Sequence, residues 1–251
     1  MPSSGAPAVE RPGPSGAHIW IGRTADEATP GDLALLDPGE RRRMERFTDA
    51  CRRAWYAGAH AAFRRIVGAS LGVEPGDIGW GTRRCPGCGS DQHGPPYVRR
   101  PDADWEVSMS RCEEWWMLAL SKGDPVGVDI ERRQGHEAEA VFRRCLTEAE
   151  QAHVASYGAD SEARQEALMR CWVRKEAVVK SWGLGLGTDL ARVDVRPDRE
   201  LAVVAHRAPD ERTYWVVRDV AAPRGCLAAL ARPVGAVGPV TVHLSAELLA
   251  G

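Results

Sequence analysis

The chain has 251 residues, of which 43% are hydrophobic and 27% charged, enough apolar material for one large core or two smaller ones. No stretch approaches the ~18 uninterrupted apolar residues of a membrane span, and a formal net charge of −2 argues against a general nucleic-acid binder. Seven cysteines, and an opening Met1-Pro2-Ser3-Ser4-Gly5-Ala6-Pro7 with no basic-then-apolar run, lead us to expect reduced thiols and a cytoplasmic protein.

Residues 1–17 are mostly Pro, Gly, Ser and Ala and are expected to form a disordered tail. His18-Ile19-Trp20-Ile21 reads as a first strand. Asp37-Pro38-Gly39-Glu40 then supplies an N-cap, a proline at the first helical position and a glutamate three residues in. A longer helix headed by Trp55 runs to about Leu71 and stops at Gly72, before strand-like Asp77-Ile78-Gly79-Trp80. Further on, Thr147 and Glu150 form a capping box, ahead of a second Trp-headed helix from Trp172 to about Trp182. Strand-like sequence follows from Asp189 to Val195. Leu36, Glu40, Met44 and Phe47 match Leu146, Glu150, Val154 and Tyr157 at a constant offset. This weak internal repeat predicts an α+β protein of two similar, pseudo-symmetric halves, 18–124 and 125–251, with the active site in the cleft between them. Residues 126–131, Tyr214-Trp215-Val216-Val217 and Val240-Thr241-Val242-His243-Leu244 supply further strands. Gly183-Leu184-Gly185-Leu186-Gly187 follows a helix rather than a strand, so it reads as a helix stop and not a dinucleotide loop. Trp105, Trp115, Trp116 and Trp182 read as core or wall residues.

In Val128-Asp129-Ile130-Glu131, alternate side chains share a face, which brings two carboxylates together. They repel unless a cation lies between them; a solvated acidic face is the plain alternative. In Trp172-Val173-Arg174-Lys175-Glu176-Ala177-Val178-Val179-Lys180, Glu176 and Lys180 share a helix face with Trp172. A surface ion pair is again the plain alternative. Lysine is rare, however: Lys122, Lys175 and Lys180 stand among 33 basic residues. A compact ammonium that can give up its proton is not interchangeable with guanidinium. Three carboxylates without matching histidines suit Mg²⁺ or Mn²⁺ rather than zinc. The residues therefore suggest metal-assisted chemistry on a phosphate or pyrophosphate.

Gly127-Val128-Asp129-Ile130-Glu131, followed about forty residues later by Trp172-x-x-Lys175-Glu176-Ala177-x-x-Lys180, closely resembles the 4′-phosphopantetheinyl transferases. Phe142-x-x-Cys145-Leu146-Thr147-x-x-Glu150 between them resembles that family's connecting helix start. Length and duplication resemble the monomeric, surfactin-synthetase-activating type. The resemblance implies a Mg²⁺-dependent enzyme (Mn²⁺ being the other option) that moves phosphopantetheine from coenzyme A to a serine of an acyl or peptidyl carrier protein. It would release 3′,5′-ADP, with no nucleic-acid or membrane partner. It implies Asp129, Glu131 and Glu176 as metal ligands, Glu176 as base toward the serine, Lys180 on the departing 3′,5′-ADP and Lys175 on phosphate.

The resemblance also marks departures. Ser108-Met109-Ser110-Arg111 stands where the family has Ser-x-Ser-His, so Ser110 and Arg111 become the expected coenzyme A contacts. Gly94-Pro95-Pro96 lacks the cation of the family's Gly-Lys-Pro or Gly-Arg-Pro. Arg99 and Arg100 are the expected replacements, and the family's arginine in the first long helix falls near Trp55, with Arg52 and Arg53 close by. Cys85-Pro86-Gly87-Cys88 with His93 resembles half a zinc knuckle whose completion would need Cys112 or Cys51 from afar; in actinobacterial relatives such a stretch lies near the nucleotide, which makes His93 another candidate contact. The basic run from Arg41 to Arg65 reads as a solvated face or as a landing surface for phosphates or an acidic carrier. Two other readings follow from the departures: a transferase fold reused on another carrier-tethered substrate, and a noncatalytic carrier-binding module. A zinc-dependent nucleic-acid binder is a further class.

Overall fold

The first strand, β1 (Ala17–Arg23), turns Ala17, Ile19 and Ile21 to one apolar cluster and Trp20 to another, as a strand covered on both faces must. The computed structural model describes residues 15–91, 93–133, 139–158, 161–184, 188–207 and 212–244. Most of the expected tail, and Gly185 and Gly187, lie outside the described residues; Ala17 already belongs to β1. After β1 come helices α1 (Pro30–Leu35), α2 (Pro38–Met44) and α3 (Ala50–Leu71), then strands β2 (Gly79–Thr82), β3 (Pro96–Arg100), β4 (Trp105–Cys112), β5 (Trp115–Lys122) and β6 (Gly127–Arg132). Helices α4 (Glu139–Arg144), α5 (Glu148–Ala155) and α6 (Glu162–Ser181) precede β7 (Leu201–Arg207), β8 (Arg212–Val220), β9 (Cys226–Pro233) and β10 (Val240–Leu244).

The strands form two sheets, in the orders β10-β1-β5-β4-β3-β2 and β6-β9-β8-β7, so the fold is α+β as expected. Helix α3 covers one face of the first sheet, with Phe63, Ile66 and Val67 against Trp20, Leu118 and Leu120. Helix α6 covers the second, with Val173, Ala177 and Val178 against Val217, Ala229 and Ala231. Between the sheets, Ile19, Ile21 and Met117 meet Val128, Ile130 and Leu230. Trp116 and Trp182 are buried, and Trp105 and Trp115 pack partly buried against these clusters. Strand β10 returns to pair in parallel with β1. The first sheet therefore includes residues from beyond 125, and β1 is not left as an open edge.

The two helical segments share one device. Asp37 and Thr147 cap α2 and α5, and in each box the glutamate turns inward. Glu40 accepts from Arg64 of α3, whose guanidinium also reaches the Ile78 carbonyl. Glu150 pairs with Lys175 of α6, whose ammonium also reaches the carbonyls of Leu190 and Val193. Two expectations change for physical reasons. Helices α3 and α6 begin at Ala50 and Glu162, ahead of their tryptophans, because Asp49 and Ser161 cap polar first turns. Asp189 to Val195 does not form a strand. A 3-10 turn occupies Leu190–Arg192, and the neighbouring backbone groups are spent on Lys175 and Glu150, the Val195 amide donating to Glu150. No helix among the described residues is long and apolar enough to cross a membrane.

Candidate active site

Helix α6 crosses directly over β6, and Gly127 permits it. A Cβ there would collide with the Ala177 carbonyl oxygen and Ser181. Asp129 and Glu131 share that face of β6 and rise toward α6, while Val128 and Ile130 enter the core between the sheets. On α6, Trp172, Glu176 and Lys180 form the half-buried stripe in a stretch, 171–181, whose other side chains are buried. Strand and stripe meet: Lys180 Nζ donates to Asp129 Oδ1 at 2.7 Å, and the Ser110 hydroxyl donates to the same oxygen at 2.7 Å. Ser108 helps to align the strands by accepting from the Val128 amide at 3.0 Å.

The electrostatics are those of crowded acids. Burial, and then the neighbouring Asp129 charge, push the carboxyls of both Glu131 and Glu176 up to about 7, against the attraction of Lys180. Asp129 Oδ2 and Glu176 Oε1 are buried without a hydrogen-bond partner. Leaving such atoms unpaired is costly. Three carboxylates, two with an orphaned oxygen, are a donor set that fits a hard divalent cation.

These groups line a cleft of about 520 Å³, within the ~300–1,000 Å³ range of small-molecule sites. Arg43, His60 and Arg111 contribute cationic or polar groups to its lining. The Arg111 guanidinium sits 4.6 Å over the Tyr56 ring, and neither Arg43 nor Arg111 forms an ion pair with a described carboxylate. Burial lowers the His60 pKa, with Arg111 and Arg43 adding to the effect, while Glu40 opposes it. The cleft thus joins a carboxylate cluster to unneutralised guanidinium groups, a combination suited to a divalent cation and a polyanion together.

Asp129, Glu131, Glu176, Lys180, Ser110, Arg111 and His93 all line this one cleft. Lys175 does not. Its side chain and that of Glu150 are 0% exposed, and the ion pair closes at 2.7 Å in the core beneath α6, outside the cleft lining where a phosphate contact was expected. Arg53 is not among the lining residues of the cleft either, and its guanidinium donates to the Phe47 and Thr48 carbonyls. Arg99 and Arg100 line depressions with Gly76 and Ile78, apart from the cleft. Cys112 lies beside Glu131 rather than with Cys85 and Cys88, and Cys51 lies on α3. Arg43, His60 and Thr82 are lining residues that the sequence pattern did not place at the site. The basic run was the available signal for Arg43; no local pattern marks the other two.

Residues 125–229 match the family model of the 4′-phosphopantetheinyl transferase superfamily. The matched stretch holds β6, α6 and the first half of the paired strand β9, and so all the carboxylates and the lysine of the cleft. The chain is also 24% identical over 219 residues to the 4′-phosphopantetheinyl transferase HetI of Nostoc sp. (strain PCC 7120), covering 85% of this chain and 86% of that protein. A phosphopantetheinyl transferase of Thraustochytrium sp. is 27% identical over 206 residues, covering 76% of this chain and 69% of that one.

Proposed function

We propose that this protein transfers 4′-phosphopantetheine from coenzyme A to a serine hydroxyl of an acyl or peptidyl carrier protein. The observation that carries the reading is the meeting of Asp129, Glu131 and Glu176 with Lys180 in a cleft also lined by Arg43 and Arg111. The superfamily match over that part of the chain and the names of the two relatives support it. Two helical segments built on the same capped-glutamate device favour the single-chain, surfactin-synthetase-activating type.

Asp129, Glu131 and Glu176 would hold Mg²⁺, which when bound would neutralise the pyrophosphate of coenzyme A and favour attack on it. Ser110 fixes the Asp129 carboxylate through Oδ1, leaving Oδ2 for that role. Arg111 and Arg43 orient the remaining phosphate oxygens. Glu176, with a carboxyl near 7, accepts the proton of the carrier serine as its oxygen attacks the β-phosphorus. Lys180 moves from Asp129 to the bridging oxygen that leaves with 3′,5′-ADP and stabilises its charge. A phosphopantetheine-sized mass gain on carrier proteins, requiring coenzyme A and Mg²⁺, is the test. Failure across several carriers of both classes would reject the reading. Pro95 at the position of a missing cation favours the reused-fold alternative, which predicts negligible coenzyme A binding by calorimetry; micromolar binding removes it.

A further inference from the structure

The loop between β2 and β3 carries a second, chemically different cluster at the mouth of the cleft. Its backbone folds tightly: the Cys85 amide donates to the Ser90 carbonyl at 2.7 Å, and the Gly89 amide returns to the Cys85 carbonyl at 2.8 Å. Gly89 adopts φ +73°, a conformation that glycine tolerates best. The Arg84 guanidinium fastens the far side of the turn through the Gly89 carbonyl. His93 then brings Nε2 to 3.2 Å from Cys88 Sγ. One ligand atom from each of Cys85, Cys88 and His93 falls within 4.8 Å of the others.

We propose that Cys85, Cys88 and His93 bind one zinc ion. Two thiolates and an imidazole form a borderline-soft donor set that selects zinc over magnesium or calcium, so this cluster and the carboxylates do not compete for one metal. Cys85 is buried in the turn, whereas Cys88 and His93 are exposed, so core packing does not account for the convergence of the three ligand atoms. Binding releases the thiol protons to solvent and involves no oxidation. Three protein ligands leave the fourth position to water.

The consequence is positional. Gly87 packs against Leu184 and Gly183 against Pro95, so this loop rests on the end of α6 that carries Lys180. His93 lines both the main cleft and the smaller chamber formed with Pro95, Gly183 and Leu184. A zinc ion would therefore stiffen a loop that packs against the end of α6. With Nε2 taken by the metal, Nδ1 keeps its proton as a donor.

The test is metal content of the full chain, incubated with zinc under reducing conditions and desalted, with no coenzyme A or carrier present. The readout is thus independent of the transferase reading. The wild type is expected to retain about one zinc per chain, and cobalt substitution to give thiolate-to-cobalt charge-transfer absorption. Cys88→Ser and His93→Asn, both changes at exposed positions, are expected to lose the zinc and the band while keeping the wild-type circular dichroism. Zinc should raise the melting temperature of the wild type and not that of Cys88→Ser. Three outcomes would overturn the proposal: a wild type that retains no zinc, equal retention by the wild type and both variants, or a Cys85–Cys88 disulfide persisting in reducing buffer.

Discussion

Lys175 and Lys180 stand five residues apart on one helix, yet one is sealed in the core and the other opens into the cleft. Their substitutions should separate accordingly. Lys180→Ala should fold normally and lose most of its turnover in a carrier-loading assay, on the order of 10²-fold or more, as the loss of one charge-stabilising donor does. Lys175→Ala strands Glu150 without its buried cation and should cost about 3–5 kcal/mol in chemical denaturation. Glu131 and Glu176 supply a pH signature. Their folded carboxyls titrate near 7, above the ordinary glutamate value, so the folded state binds more protons than the unfolded one. Stability without divalent cation should therefore fall as pH rises from about 4.5 to 7 and then level off. Thermal melts in a chelator across that window should show the decline, Glu176→Gln should flatten it, and Mg²⁺ should restore stability at the upper end. Arg111→Ala should raise the KM for coenzyme A more than it lowers kcat if the guanidinium positions phosphate in ground and transition states alike.

At the scale of elements, the site depends on how closely α6 approaches β6. Gly127→Ala would push against the Ala177 carbonyl and lift the helix that holds Glu176 and Lys180. Overpacking of this kind typically costs ~1–3 kcal/mol, and a small displacement of the carboxylate pair costs far more in rate than in stability. Melting temperature and turnover should fall together, turnover more steeply. The local elements were legible because their signals are local: Asp37 and Glu40, or Thr147 and Glu150, announce a helix start within four residues. Alternation in Val128-Asp129-Ile130-Glu131 likewise separated core from site. The inward turn of Lys175 was also recoverable. It lies in phase with Cys171, Val178 and Trp182, all buried, and about a hundred degrees around the helix from Glu176. Its charge points to a site, whereas its phase points to the core, and the phase prevails because Glu150 is there to pair with it.

For the molecule as a whole, the chain of 251 residues determined by itself the α+β class, the first strand and the two long helices, the repeated capped-glutamate segments and the grouping of Asp129 with Glu131 and of Glu176 with Lys180. Each of these rests on the period of a strand or helix, or on a cap a few residues long. Only the tertiary structure decided that the strand pair meets the helix pair. It also put Arg43, His60 and Arg111 in the same cleft, and Arg53, Arg99 and Arg100 outside it. The return of β10 to β1 is of the same kind: Val240-Thr241-Val242-His243-Leu244 reads as a strand, but nothing in it names a partner more than two hundred residues away. Periodicity tells which side of an element is apolar; which elements face each other follows from packing all the apolar sides at once, and that is a property of the whole chain.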